Sequence, residues 1–217
     1  VKNVLNAGKL KEGSYVICNG FKPPKYIENI ADLIEDKRLN VIPVVDNTAE
    51  IHELIAATGE NELKIGIRIA SEEEPKFEFY TSRLGIRYRE IVPFYKAFIQ
   101  DNPRVQIKML HFFINTGIND TSYYWNELTK CLRVYSDLKK ICPELDSLNI
   151  GGGFPIKKSL AFDFDYAYMV REILMQVKRV CSDNDIPEPN IYTEFGSFTV
   201  GESGGAIFNV LHQKQQN

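Results

Sequence analysis

The residues with the clearest chemical potential lie in Ser147–Gly153, where a short apolar run ends in three consecutive glycines. Leu148 to Ile150 reads as a buried strand. Gly151, Gly152 and Gly153 strip the side chains from the following turn, so its backbone N–H groups can approach an anion closely. Phosphate is the usual occupant of such a turn. A tight structural turn needing one glycine fits the tripeptide as well. A second glycine turn, Phe195-Gly196-Ser197, follows the last apolar run, Ile191–Glu194. His52, His111 and His212 are scattered, and Cys18, Cys131, Cys142 and Cys181 form no close pair, so neither set suggests a metal centre. Cys131 and Cys142 fall on one predicted helix about three turns apart, too far for a disulfide. Reduced, buried thiols in a cytoplasmic protein are the expectation.

The chain that must position these turns has 217 residues, 44% hydrophobic and 25% charged, enough apolar material for a sizeable core. A net charge of −3 without a basic cluster argues against nucleic acid and anionic membrane as partners. No apolar run approaches the roughly 18 residues of a membrane span. The opening residues, Val1-Lys2-Asn3-Val4-Leu5, lack a signal-peptide pattern and read as the tail of a helix.

Six strands are predicted: Ser14–Cys18, Val41–Val45, Leu63–Ala70, Val105–Ile114, Leu148–Ile150 and Ile191–Glu194. Helical stripes separate them. One starts at Pro23-Pro24, with Ile27, Ile30, Leu33 and Ile34 inward. A second has Ile51, Leu54 and Ile55 inward, with Asn47 and Glu50 at capping-box spacing. Further helices are predicted over Arg89–Gln100, from Asp120-Thr121 to Pro143, and over about Asp165–Cys181, with Ser71–Ser82 as a loop. Alternating strands and helices predict an α/β fold with parallel strands. An open doubly wound sheet and part of an eight-stranded TIM-type (β/α) barrel both fit. No Gly-x-Gly-x-x-Gly turn follows the first strand, and the glycine turns close the last two strands, where barrels often hold phosphate; this favours the barrel.

Five segments, in order, resemble the PLP-dependent decarboxylases of the alanine-racemase-like barrel class, which act on ornithine, diaminopimelate and arginine. They are Ile17–Lys22, Ser82–Ile86, Leu110–Ile114, Leu148–Gly153 and Thr193–Ser197. The arginine branch matches best. The resemblance implies an incomplete PLP-binding barrel, about strands three to eight of eight, over residues 1–205. Residues 206–217 would then begin a C-terminal β-domain. It implies pyridoxal 5'-phosphate as cofactor, decarboxylation of a small amino acid, arginine to agmatine first, within polyamine biosynthesis, and a homodimer or larger homo-oligomer.

At matching positions, Gly151, Gly152 and Gly153 resemble the cofactor-phosphate turn and Gly196 a second phosphate contact. Glu194 resembles the carboxylate that pairs with the pyridine nitrogen; without the resemblance, a strand-end Glu bonded to a neighbouring loop would be the simpler reading. Arg83 matches a basic position near the cofactor. There are departures. Phe113 stands where the family has a ring-stacking histidine; it can stack but cannot donate a hydrogen bond. Thr116 keeps the hydroxyl of a family serine, and Asn115 replaces a glycine. Ser197 stands where an arginine is usual, able to bond phosphate without charge. No strand here ends in the motif of the covalent lysine, and Lys22 is not assigned that role, so the chain alone is expected to be inactive. Two other readings stand beside the enzyme: a non-catalytic PLP-binding or regulatory relative, and an open-sheet nucleotide-binding protein. Six of eight barrel strands also leave two edges, near Ser14–Cys18 and Ile191–Glu194, that must be covered or distorted.

Overall fold

A computed structural model describes residues 2–71, 84–114, 121–155 and 163–200. Each apolar run becomes a strand, and each helix-period stripe a helix packed on the sheet. The order is α1 (Lys2–Asn6), β1 (Tyr15–Cys18), α2 (Pro24–Asp36), β2 (Asn40–Val45), α3 (Glu50–Thr58), β3 (Leu63–Ala70), β4 (Ile86–Arg87) and α4 (Tyr88–Phe98). Then follow β5 (Val105–His111), α5 (Thr121–Lys139), β6 (Ser147–Asn149), α6 (Tyr166–Asp183), β7 (Asn190–Tyr192) and α7 (Gly196–Val200). Arg83, Asn115, Thr116, most of the Ser71–Ser82 loop and residues 206–217 lie outside the described residues.

All pairings are parallel, in the order β1-β2-β3-β5-β6-β7. Strands therefore lie side by side in chain order. A doubly wound sheet reverses its order at a switch point, which is where it binds nucleotides; the absence of a reversal here overturns the open-sheet reading. The sheet is a curled, incomplete barrel.

Strand alternation gives the sheet two faces. On β3, Leu63, Ile65, Ile67 and Ile69 join the core shared with the helices. Ile27, Ile30 and Leu33 of α2 and Met169, Ile173 and Val177 of α6 pack into the same core. The intervening residues of β3 point inside the curl. There, the missing side chain of Gly66 leaves room for Val44 and Met109; a Cβ would lie 3.1 Å from Val44 Cγ2 and 3.5 Å from Met109 Cβ.

Two expectations are corrected. A seventh strand, β4, extends the upper end of β3, pairing Ile69 with Ile86 and Ala70 with Arg87. Two residues carry no alternation from which to read a strand. It fits because Gly85, at φ +98°, lets the backbone press on β3; a Cβ there would lie 2.7 Å from the Ala70 nitrogen. Also, β5 ends at His111 and β7 at Tyr192, so Phe113 and Glu194 stand just beyond their strands. α7, a five-residue helix holding Gly196 and Ser197, carries too few residues for a periodic stripe.

The two edges turn toward each other. Tyr15 of β1 and Tyr192 of β7 meet edge to face with centroids 5.6 Å apart. Behind the sheet, the fully buried Glu127 carboxylate ties α5 to the start of α4. It accepts from the Tyr88 hydroxyl at 2.7 Å and from Lys130 at 2.8 Å.

Candidate functional site

The C-terminal ends of the strands bring a group of polar residues together. Register decides which of them meet. Arg68 of β3 is level with His111 of β5, His111 with Asn149 of β6, and Asn149 with Tyr192 of β7. Registered residues on parallel strands share a face, so Arg68, His111 and Asn149 form one row inside the curl. Glu194 lies two residues past Tyr192, above that row.

Glu194 is held from two sides. Its Oε1 accepts from Asn149 Nδ2 at 2.7 Å and from Asn19 Nδ2 at 2.6 Å. His111 Nε2 lies 3.8 Å from the same oxygen. Oε2 has no hydrogen-bond partner among the described residues, and the side chain is one-third exposed. The carboxylate thus joins the turn after β1 to the end of β6.

Gly151 and Gly152 are buried at the base of the turn. A Cβ on Gly151, at φ +66°, would lie 2.7 Å from the Phe112 carbonyl oxygen, and one on Gly152 would lie 2.6 Å from that of Glu194. These glycines therefore let three strand ends crowd together. The Gly151 N–H donates to Asn149 Oδ1 at 2.9 Å, and its carbonyl accepts from Glu194 N–H at 2.8 Å. The N–H groups of Gly152 and Gly153 donate to no described residue, and Gly153, at φ +97°, is exposed. Gly196 and Ser197 are exposed on α7; Gly196 N–H donates to the Glu194 carbonyl at 2.8 Å, and a Cβ on Gly196 would meet nothing within 4 Å.

Phe113 sits against Gly151. Its carbonyl accepts from Ser71 Oγ at 2.8 Å, and the Arg68 guanidinium lies 5.8 Å from its ring centroid. Arg68 also pairs loosely with Asp46, at 3.7 Å. Burial pushes the Asp46 carboxyl above its ordinary value, against the pull of Arg68 and Lys22. Burial pushes His111 down to about 4, against the pull of Glu194 and with help from Arg68. His111 is therefore neutral near pH 7.

Lys22 is fully buried. Its ammonium donates to Gly20 O at 2.9 Å, to Val44 O and to Glu50 Oε2 at 3.1 Å. Three hydrogens meet three acceptors, so Lys22 is a clamp between β1, β2 and α3 and has no N–H to spare.

The turn, Phe113 and Glu194 come together, with Gly196 and Ser197 at the rim. Asn19, Arg68, His111 and Asn149 are singled out by no motif spacing. The available signal is a polar residue near the C-terminal end of an apolar strand, as in Ile67-Arg68-Ile69 or Leu110-His111. Both His111 ring nitrogens, Asn19 Oδ1 and both Asp46 oxygens are buried without hydrogen-bond partners among the described residues. Unpaired buried polar atoms clustered at one rim suit a polar occupant.

A parallel, curled α/β sheet with its polar residues and glycine turns at the strand C-termini defines the class of barrel-type α/β enzymes. Within it, the chain belongs to the pyridoxal-dependent decarboxylases, matching the model of their pyridoxal binding domain over residues 2–201. It is 25% identical over 215 residues to the biosynthetic arginine decarboxylase of Geobacter sp. (strain M21), covering 93% of this chain and 34% of that protein. With the same enzyme of Prochlorococcus marinus (strain AS9601) it is 28% identical over 216 residues, covering 92% of this chain and 33% of the relative. The chain spans about a third of the length of these curated relatives. Among solved structures, the biosynthetic arginine decarboxylase SpeA from Campylobacter jejuni has a TM-score of 0.72 at 19% identity, covering 90% of this chain and 34% of that one. Lysine decarboxylase from Selenomonas ruminantium has a TM-score of 0.67 at 20% identity, covering 90% and 48%. At these identities the structures show a common fold.

Proposed function

We infer that this chain is the pyridoxal-phosphate-binding part of an amino-acid decarboxylase, with arginine, converted to agmatine for polyamine synthesis, as its first substrate candidate. The observation that carries the reading is Glu194: one oxygen is fixed by two amides, the other has no partner among the described residues, and the glycine turn lies beside it.

The residues fit the group. The N–H groups of Gly152 and Gly153, unpaired among the described residues, suit the phosphate, with the Ser197 hydroxyl at the rim of α7 beside Gly196. Phe113 offers a flat face to the ring. Glu194 Oε2 suits a protonated ring nitrogen and stabilises its charge. Arg83 and Thr116 complete the proposed set. When bound, the cofactor supplies an electron sink for the charge left on Cα as CO2 departs. The chain's own part is to hold the phosphate, keep a negative charge at the ring nitrogen and line the pocket with neutral His111.

The arginine assignment is supported by the names of the curated relatives. A homodimer or larger assembly and a cytoplasmic location belong to the same reading; the buried free Cys18, Cys131, Cys142 and Cys181 suit a reducing compartment. Among the described residues, no helix is long and apolar enough to cross a membrane. Because Lys22 is fully engaged, this chain by itself binds the cofactor without turning substrate over. A non-catalytic PLP-binding relative is the second reading, favoured by Phe113 in place of a hydrogen-bonding residue.

The test is titration of the purified chain with PLP, with inorganic phosphate as competitor, and CO2 release from labelled arginine by the parent protein. Saturable, phosphate-sensitive binding with CO2 release is expected. Binding without CO2 release from any basic amino acid would favour the second reading, and no binding would overturn both.

A further inference from the structure

Asn149 touches both ends of the candidate site. Its Oδ1 accepts the Gly151 N–H at 2.9 Å, and this fixes the orientation of the amide. Its Nδ2 must then face Glu194, and it donates to Oε1 at 2.7 Å. The side chain is buried. A single rigid amide therefore ties the glycine turn to the carboxylate. Asn19 adds a second N–H to the same oxygen from the far edge of the sheet, 175 residues away.

Both anchors are neutral. Cations at those positions would offset the Glu194 charge, whereas amides orient the carboxylate and leave its charge available. Both also bind Oε1, which leaves Oε2 without a partner among the described residues.

We propose that Asn149 and Asn19 are positioning residues that fix Glu194 through Oε1 and reserve Oε2 for the ring nitrogen of PLP, with Asn149 also setting the spacing from the phosphate turn. This rests on the cofactor reading given above and assigns its geometry to residues that never touch the ring.

The test is equilibrium binding by the 217-residue chain of three probes: PLP, its carbocyclic analogue with CH in place of the ring nitrogen, and inorganic phosphate. Asn19→Ala should weaken PLP binding about tenfold, the loss of one charge-assisted hydrogen bond. It should leave the analogue and phosphate unchanged. Asn149→Ala should weaken all three, because both bonds vanish. Asn149→Asp keeps an acceptor for Gly151 but has no N–H for Glu194 and sets a second carboxylate against it, whose repulsion pushes the Glu194 side chain off its seat. It should restore phosphate affinity but not PLP affinity. Equal losses for PLP and the analogue in Asn19→Ala would overturn the proposal, since a merely structural role is blind to the ring nitrogen. Should Asn149→Ala fail to fold, Asn19→Ala and Asn149→Asp decide the matter. A wild-type chain that binds phosphate but not PLP would overturn the cofactor reading, and this proposal with it, before any variant is made.

Discussion

Lys22 and Glu50 form a buried ion pair, 3.1 Å apart, between the segment joining β1 to α2 and the first turn of α3. The same Glu50 oxygen accepts the Asp46 N–H at 3.0 Å, so one carboxylate joins that segment, the end of β2 and α3. Breaking such a pair from one side leaves a charge stranded in the interior. Lys22→Met should cost about 3–5 kcal/mol in urea unfolding. Lys22→Met with Glu50→Leu should cost less than the sum of the two single changes, as a double-mutant cycle will show. Additive costs would mean that the two groups do not sense each other.

The Glu127 clamp predicts a second stability effect. Tyr88→Phe removes a hydroxyl donor from a fully buried carboxylate and should cost about 1–3 kcal/mol in the same assay. An unchanged unfolding midpoint would show that the hydroxyl contributes nothing.

The three turn glycines that carry backbone crowding or none separate cleanly. Gly152→Ala would drive a Cβ to 2.6 Å from the Glu194 carbonyl oxygen, and backbone there cannot give way as a side chain can. It should destabilise by about 1–3 kcal/mol. Gly151→Ala adds the strain of a positive φ to a similar clash and should be at least as harmful. Gly196→Ala faces open space and should lie within about 0.5 kcal/mol of wild type. Thermal unfolding of the three variants checks this ranking.

The buried His111 makes stability depend on pH. In the unfolded chain it takes a proton near its ordinary 6.5, whereas the folded chain resists until about 4. The unfolded state therefore binds more protons across that interval, and its contribution to stability, full above about pH 6.5, is lost as pH falls toward about 4. His111→Gln should flatten this part of the profile, with other titrating groups common to both proteins. Thermal midpoints between pH 4 and 8 provide the comparison, and identical slopes would remove His111 as the cause.

Much of the fold can be read from β3, whose alternation of Leu63, Ile65, Ile67 and Ile69 marks both a strand and its helix-facing side. β6 and β7 have only three residues each; the glycine turns that follow them locate them better than their own pattern does. β4 has no local signal, because tertiary pairing with the end of β3 creates it. The capping spacing of Asn47 and Glu50 is half realised. Asn47 Oδ1 accepts from the Ala49 and Glu50 N–H groups at 3.0 and 3.2 Å, but Glu50 turns inward to Lys22 and Asp46. The carboxylate that the capping motif would send to the helix end is taken by a stronger electrostatic partner. Glu194 and the glycines are visible as motifs. Asn19, Arg68, His111 and Asn149 are not, because alternation says which face a residue takes but not which distant strand lies beside it.

The meeting of Tyr15 and Tyr192 gives the sheet one joint unlike the others. Every other junction between neighbouring strands is laced by backbone hydrogen bonds, whereas the described contacts here come from side chains, among them the ring contact and, above it, the hydrogen bond from the Asn19 amide to the Glu194 carboxylate. An aromatic contact of this kind is worth about 0.5–1.5 kcal/mol. The barrel wall therefore has a seam, and opening it disturbs the ladder nowhere. Because Glu194 is one of its fasteners, the same motion that parts the seam frees the carboxylate from one of its anchors, joining the mechanics of the wall to the chemistry at its rim.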